Sequence, residues 1–417
     1  MDDQYLNLSI DLNQRLSKLF PTHITKTPNN SNAVSELDYQ WFIEIRHEVL
    51  NLGQHNKDNW EQLLSKQTNF NAYSPYYELL GYLAIKLYDD TKNTQYLSTL
   101  NNKLRIAESY LGPSISIFDN DLYIALRKFD YKQAAEIINK IETLGADTTS
   151  ILKRKASLAN HEGNYQEAEA LYQRALQLRP SVALWYGSAL NQWSAGNTEK
   201  ALNSLYQLFK LDSEANLANA LLALIYLTTG DLDKAILQYK KVIRINPTAQ
   251  HHSNLGLAYE LQGDFIAAKK YFYEALKLSP ENPNIWLNVA DSHTLNNEQT
   301  AAKKYYLKII EASENKKDWD SALNLSQAHI HLGNTSAALN AVHNSLLSAG
   351  ENPEVLFNAA LVYSVAEQWA TAIVYIEKSL NADLNPVWFN LPWFDGLCAT
   401  KYSEVKILLS EERCTVN

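Results

Sequence analysis

The chain has 417 residues, a formal net charge of −9, 46% hydrophobic and 20% charged residues, which is the composition of an ordinary globular protein. Thirteen glycines and eleven prolines are too few for the turns of an all-β fold, and the two cysteines, Cys398 and Cys414, cannot make a disulfide framework or a four-thiolate zinc site. The acidic balance gives no basic footprint of the kind a nucleic-acid binder carries.

From the N-terminus, Met1-Asp2-Asp3-Gln4 opens without a basic stretch leading into an apolar core, so no secretory signal is read there. Residues 5–20 predict a short amphipathic helix, and 21–37 a polar linker, so that 1–37 form one N-terminal segment. Residues 38–112 predict irregular helices: Trp41 to Leu50 with Trp60 to Leu64, then Tyr76 to Tyr88 with Tyr96 to Tyr110, closed by Gly112-Pro113. The longest mostly apolar run, Leu217 to Leu227, is well short of the ~20 residues that cross a bilayer. Together with the sparse cysteines, this predicts a cytoplasmic protein with no membrane span.

Residues 113–385 are periodic. Ala134, Ala168, Ala201, Ala235, Ala268, Ala302, Ala338 and Ala372 recur at intervals of 33 to 36 residues. Five residues before five of them stands a turn pair, at Gly163-Asn164, Gly196-Asn197, Gly230-Asp231, Gly263-Asp264 and Gly333-Asn334; Phe129, Asn297 and Glu367 hold the same slot in the other three. Apolar residues recur at three- and four-residue spacing on either side, so each unit reads as two amphipathic helices of about a dozen residues. Glycine in the left-handed conformation ends the first helix, and Asp or Asn caps the second. Asn282-Pro283 and Asn352-Pro353 read as an N-cap followed by proline at the first helical position. One hairpin cannot bury its apolar face alone, whereas a stack can.

On these residues, 115–385 resembles about eight tetratricopeptide repeats. The resemblance implies an all-α, right-handed α-solenoid with irregular N-terminal helices and a C-terminal capping segment. Ser313 to Asp318 adds two residues, which predicts a bulged loop within the array. Residues 386–417 change character: Pro386-Val387-Trp388-Phe389-Asn390-Leu391-Pro392-Trp393-Phe394-Asp395 is dense in aromatics and proline, and Tyr402 to Glu412 predicts a final helix. The bland expectation is that these aromatics plug the open end of the stack; the sharper one is an exposed docking patch. This close, with His252 to Tyr259 and Asn284 to Asp291, is similar to repeat regions attached to bacterial eukaryotic-like serine/threonine kinases and related signalling proteins. That resemblance implies a sensor or scaffold role in signalling.

No phosphate loop, His-Arg-Asp catalytic loop, Walker motif or Gly-x-Ser-x-Gly elbow is found, so no enzyme activity and no cofactor are expected. His329 with His331, and His251 with His252, have the wrong spacing for one helical face, and no metal site is expected. Lysine pairs at 240–241, 269–270, 303–304 and 316–317 read as a solvated outer face. A nucleic-acid stripe would need interleaved aromatics and excess positive charge on that face, and the overall charge opposes it.

The first helix of each repeat builds the inner wall in this fold. Asn254, Asn288, Asn324 and Asn358 precede an apolar-small or small-small pair in four consecutive first helices, at spacings of 34, 36 and 34. Their carboxamides predict a row up the inner wall, each able to pair with the N–H and C=O of an extended peptide. The row resembles the asparagine ladder of O-linked N-acetylglucosamine transferase repeats. A structural role, bonding neighbouring helices, competes with it. Asp291 and Gln327 share the face of Asn288 and Asn324. Tyr186, Leu190, Trp193 and Lys153 are expected to line the groove toward the N-terminus, with Trp193 as hydrophobic anchor. Lys153 is followed four residues later by Ser157, so the dicarboxylate clamp of chaperone co-factors is not matched. The reading is a non-catalytic scaffold that holds a peptide or protein segment in the groove. Its alternative is a regulatory region or subunit of a bacterial kinase or cyclase pathway whose catalytic domain lies elsewhere.

Overall fold

The computed structural model describes residue 64 and residues 74–91 and 93–409, and the chain divides into two compact units between Leu221 and Leu222. Among the described residues every regular element is helical. The first unit holds α1 (Ser74–Thr91), α2 (Gln95–Leu111), α3 (Ile115–Arg127), α4 (Tyr131–Thr143), α5 (Thr148–His161), α6 (Tyr165–Leu178), α7 (Val182–Ser194) and α8 (Thr198–Leu211). Helix α9 (Asn216–Thr228) runs across the division. The second unit continues with α10 (Leu232–Ile245), α11 (Ala249–Gln262), α12 (Phe265–Leu278), α13 (Pro283–Leu295), α14 (Gln299–Ser313), α15 (Trp319–His331), α16 (Thr335–Ala349), α17 (Pro353–Val365) and α18 (Trp369–Asn381). Two 3-10 turns, Pro386–Asn390 and Pro392–Phe394, lead into α19 (Asp395–Leu409). The expected elements at 1–37, Trp41 to Leu50 and most of Trp60 to Leu64 lie outside the described residues.

Consecutive helices pair as hairpins and stack as an α-solenoid within each unit. All eight periodic alanines are fully buried, because no larger side chain fits where a second helix meets its neighbours. Gly256 works the same way on α11: a Cβ there would stand 2.6 Å from the Phe272 ring of α12. Side-chain caps start several helices. Asp130 accepts from the Gln133 N–H and Asp264 from the Ala267 N–H, while Asn282 and Asn352 cap helices that begin on proline. The turn between first and second helix needs positive φ. Gly163, Gly196, Gly230, Gly263 and Gly333 supply it, and Phe129, Asn297 and Glu367 adopt the same left-handed conformation at φ 57°, 60° and 58°. There the Cβ strain of roughly 1 kcal/mol is carried by the surrounding packing. The two extra residues fall in the loop between α14 and α15, where Asp318 caps α15.

First and second helices are not equivalent. First helices pack on successive first helices, α5 on α7 in the first unit and α11 on α13, α13 on α15 and α15 on α17 in the second. No two second helices pack on each other to that extent among the described residues. First helices therefore form the inner wall of each unit, and second helices form the outer one.

The aromatic segment 385–394 reaches further than an end plug. Pro386 and Pro392 break any helix there, and the segment folds back as a strap on the inner wall of the second unit. The first turn lies against α11 and the second against α17. Phe389, Leu391 and Phe394 are buried, and the rings of Trp388, Phe389 and Phe394 surround Phe357 of α17 at 5.7, 5.6 and 5.9 Å. Asn385 Nδ2 donates to the Thr229 carbonyl at 2.8 Å, across 156 residues of chain, and Ser364 Oγ donates to the Trp393 carbonyl at 2.8 Å.

Candidate functional site: the inner wall of the second unit

Helices α11, α13, α15 and α17 carry one carboxylate each, Glu260, Asp291, Asp320 and Glu354, and no lysine or arginine. Burial makes these acids unusual. Glu260 and Asp291 are almost fully enclosed, at 7% and 8% exposure. Loss of hydration, reinforced by the negative charge of Asp291, pushes the Glu260 carboxyl well above the usual carboxylate range. Burial raises Asp291 to about 7, against the opposing hydrogen bond from the Tyr306 hydroxyl at 2.7 Å. Burial and the Asp320 charge raise Glu354. His331 of α15 is driven down to about 4 by burial, so its imidazole is neutral, with Nε2 3.9 Å from Asp291 Oδ1 and its ring 4.5 Å from that of Trp393 in the strap. Glu260 Oε2 and His331 Nε2 have no hydrogen-bond partner among the described residues.

The four asparagines follow the first helices, but their amides are already engaged. Asn288 Nδ2 donates to Ser253 Oγ of α11 and Asn358 Nδ2 to Ser326 Oγ of α15, both at 2.7 Å, and Asn324 Nδ2 donates to Asn284 Oδ1 of α13. Asn254 Nδ2 donates to the Tyr239 hydroxyl at 2.9 Å, and its Oδ1 accepts from Gln250 at 2.7 Å. Three of the four thus stitch one first helix to the one before it. Asn324 and Asn358 are buried, at 3% and 1% exposure, while Asn254 and Asn288 stay half-exposed. Asp291 and Gln327 are buried beside them.

The remaining expected groove residues lie in the first unit. Tyr186 is buried on α7, Leu190 and Trp193 are half-buried there, and Lys153 is half-buried on neighbouring α5. A polar network braces these helices: Ser188 donates to Glu169 at 2.9 Å, Asn191 Nδ2 to the Tyr165 carbonyl at 3.0 Å, and Asn160 Nδ2 to Asn191 Oδ1 at 2.9 Å. Nothing in the repeat pattern marks Glu260, His331 and Trp393 as members of this wall, or Tyr306 of α14 as the partner of Asp291. A count of charge by helix would isolate the acid-only first helices from sequence alone. No group of three or more potential metal ligands occurs among the described residues, and no described helix is long and apolar enough to cross a membrane.

Two models of the tetratricopeptide repeat match the sequence, one over residues 249–282 and the other over 123–183 and 186–250. Residues 123–282 thus carry tetratricopeptide repeats. The BBSome complex member BBS4 of Bos taurus is 25% identical over 219 residues, covering 52% of this chain and 40% of that protein. The anaphase-promoting complex subunit CDC16 of Saccharomyces cerevisiae is 21% identical over 350 residues, covering 78% and 41%. The chain thus spans about two fifths of the length of these relatives, which are by name members of multi-protein complexes. Among solved structures, the APC/C heterotetramer Cut9–Hcn1 shares the fold, with a TM-score of 0.50 and 15% identity over 94% of this chain and 81% of that one.

Proposed function

We propose that the protein is a non-catalytic cytoplasmic scaffold whose repeats hold an extended partner segment on the inner wall of the second unit. The observation that carries this reading is the strap. A short, proline-containing aromatic stretch is held there by ring packing on Phe357, a hydrogen bond from the Ser364 hydroxyl to the Trp393 carbonyl and one from Asn385 Nδ2 to the Thr229 carbonyl. A partner segment would use the same means, with the half-exposed carboxamides of Asn254 and Asn288 as further backbone contacts. First helices without lysine or arginine, whose buried acids hold their protons, favour an uncharged segment. In the first unit, Trp193, Leu190, Tyr186 and Lys153 belong to a separate candidate contact surface of that unit. A photo-crosslinking amino acid at position 254 should give a discrete partner adduct in cells, and one at the outer-face position Leu347 should not. Equal labelling at both positions, or none at 254, would remove the reading.

The Pro386 to Asp395 close, similar to repeat regions attached to bacterial signalling proteins, favours a second reading as a regulatory subunit of a kinase or cyclase pathway. Kinase or cyclase activity that co-purifies with the chain supports it; a partner adduct free of both removes it.

A further inference from the structure

The outer face of the second unit concentrates charge of one sign. Second helices α10, α12 and α14 carry ten lysine and arginine side chains against three carboxylates, in a chain of net charge −9. The next second helix, α16, has no lysine, arginine or carboxylate, and α18 has one of each sign, Glu377 and Lys378. The positive block is therefore confined to three consecutive hairpins. Three of its cations are neutralised, Lys234 by Asp231 at 3.2 Å, Lys269 by Glu298 at 2.6 Å and Lys277 by Glu274 at 2.7 Å. Lys240, Lys241, Arg244, Lys270, Lys303, Lys304 and Lys308 make no ion pair among the described residues. The other carboxylates facing this surface are Asp233, which accepts from Gln262 at 2.6 Å, Asp264 at the α12 cap, and Glu311.

Apolar side chains stand among the cations. Leu237, Ile266 and Leu307 are exposed at 59%, 75% and 51%, and Ile245 at the end of α10 at 58%. Lys241 follows Leu237 by four residues, Lys270 follows Ile266 by four, and Leu307 lies between Lys304 and Lys308. With 3.6 residues per turn, all of these point roughly opposite the buried alanines 235, 268 and 302. Each of the three helices thus presents cations and an aliphatic side chain on its outward face.

We propose that this face of α10, α12 and α14 is a second docking site, taking an acidic amphipathic helix of a protein partner. Charge complementarity supplies steering and register, and the three aliphatic side chains supply an apolar seam. A nucleic acid fits less well. A phosphate backbone would leave Leu237, Ile266 and Leu307 with nothing to cover, and the nearby rings are not free stacking platforms. Tyr259 and Tyr271 stack on each other at 5.5 Å, Tyr305 stacks on His293 at 6.1 Å, and Lys240, Lys270, Lys304 and Lys308 lie over Tyr259, Tyr271, Tyr305 and Trp286. A lipid surface fits less well because no exposed aromatic side chain on these helices stands out to anchor in it.

The test uses the full chain and three fluorescent or labelled probes: a helical peptide with a leucine stripe flanked by glutamates, a single-stranded oligothymidylate, and phosphatidylserine-containing vesicles. The wild type should bind the peptide, more weakly as salt rises, and Lys241→Glu with Lys270→Glu and Lys304→Glu should weaken it by about tenfold or more. Leu237→Ser with Ile266→Ser and Leu307→Ser should weaken it several-fold, and a peptide with serine for leucine should bind no better to wild type than the leucine peptide binds to this variant. All substitutions lie at exposed positions, so circular dichroism should be unchanged. Where charge reversal alters the spectrum, Lys→Gln at the same positions replaces it. Peptide binding untouched by either set, equal binding of the serine peptide, or tighter binding of oligothymidylate or vesicles would each overturn the proposal.

Discussion

The inner and outer walls of the second unit are built from the same hairpins, yet they handle charge in opposite ways. On α11 and α13 the carboxylates Glu260 and Asp291 are enclosed by neighbouring helices, and both hold their protons more tightly than free acids. On α10, α12 and α14 the cations project into solvent, and most stay unpaired. The difference follows from position in the hairpin. A first helix touches its own partner and first helices on both sides, which strips water from acids in its later turns such as Glu260 and Asp291, while Glu354 at the start of α17 stays exposed. A second helix keeps one whole face open, so charge there is inexpensive and remains available for a partner.

The strap ties the inner wall to the C-terminus, so removing its anchor is the strongest way to break the contrast. Phe389→Ala deletes a fully buried ring packed on Phe357 and should cost about 3–5 kcal/mol, read as a lowered urea midpoint. A loss below about 1 kcal/mol would mean that the ring is not enclosed by the wall. A Lys241→Gln change on the outer wall should move the midpoint by less than about 0.5 kcal/mol.

The buried acids sharpen the comparison through pH. Asp291 titrates near 7 in the fold and near 3.8 when free, so its contribution to stability is complete below pH 4, declines as pH rises from 4 to 7, and is level above. Glu260 acts in the same sense. His331, lowered from 6.5 to about 4, acts oppositely and adds stability as pH rises from 4 to 6.5. The two trends offset each other up to about pH 6.5, and above it the acids alone remain. Asp291→Asn should therefore gain on the wild type progressively between pH 4 and 7, by a few kcal/mol, since each tenfold change in proton affinity is worth about 1.4 kcal/mol. Parallel stability curves would show that the Asp291 carboxyl is not shielded from water. Substituting Asn324 by Ala should cost about 1 kcal/mol by cutting its bond to Asn284, again read from the urea midpoint. A gain is expected at the turn: Asn297→Gly relieves left-handed strain and should raise stability by up to about 1 kcal/mol, measured as a higher melting temperature.

The repeat framework was legible in the sequence because its causes are local and periodic. The eight alanines mark where helices meet, and Phe129, Asn297 and Glu367 can be placed in the glycine slot because the slot is defined by spacing, not by residue type. The site was legible only in part. The row of asparagines could be placed on first helices, but whether Asn324 faces a ligand or Asn284 depends on a side chain 40 residues away. The strap was less legible still, since nothing near Asn385 in the chain names Thr229 as its acceptor. Likewise, the weakened acidity of Asp291 comes from the helices that enclose it, against the hydrogen bond from Tyr306, and not from its own neighbours in sequence.

The most direct measurement is titration of a fluorescent synthetic copy of residues 385–395 against the full chain, wild type and carrying Trp393→Ala, which loosens the strap at its contact with His331. If the inner wall of the second unit is built to hold an extended aromatic segment, the variant should bind the copy saturably and the wild type much more weakly. A folded variant that ignores the copy, or a wild type that binds it equally well, would contradict that role for the wall.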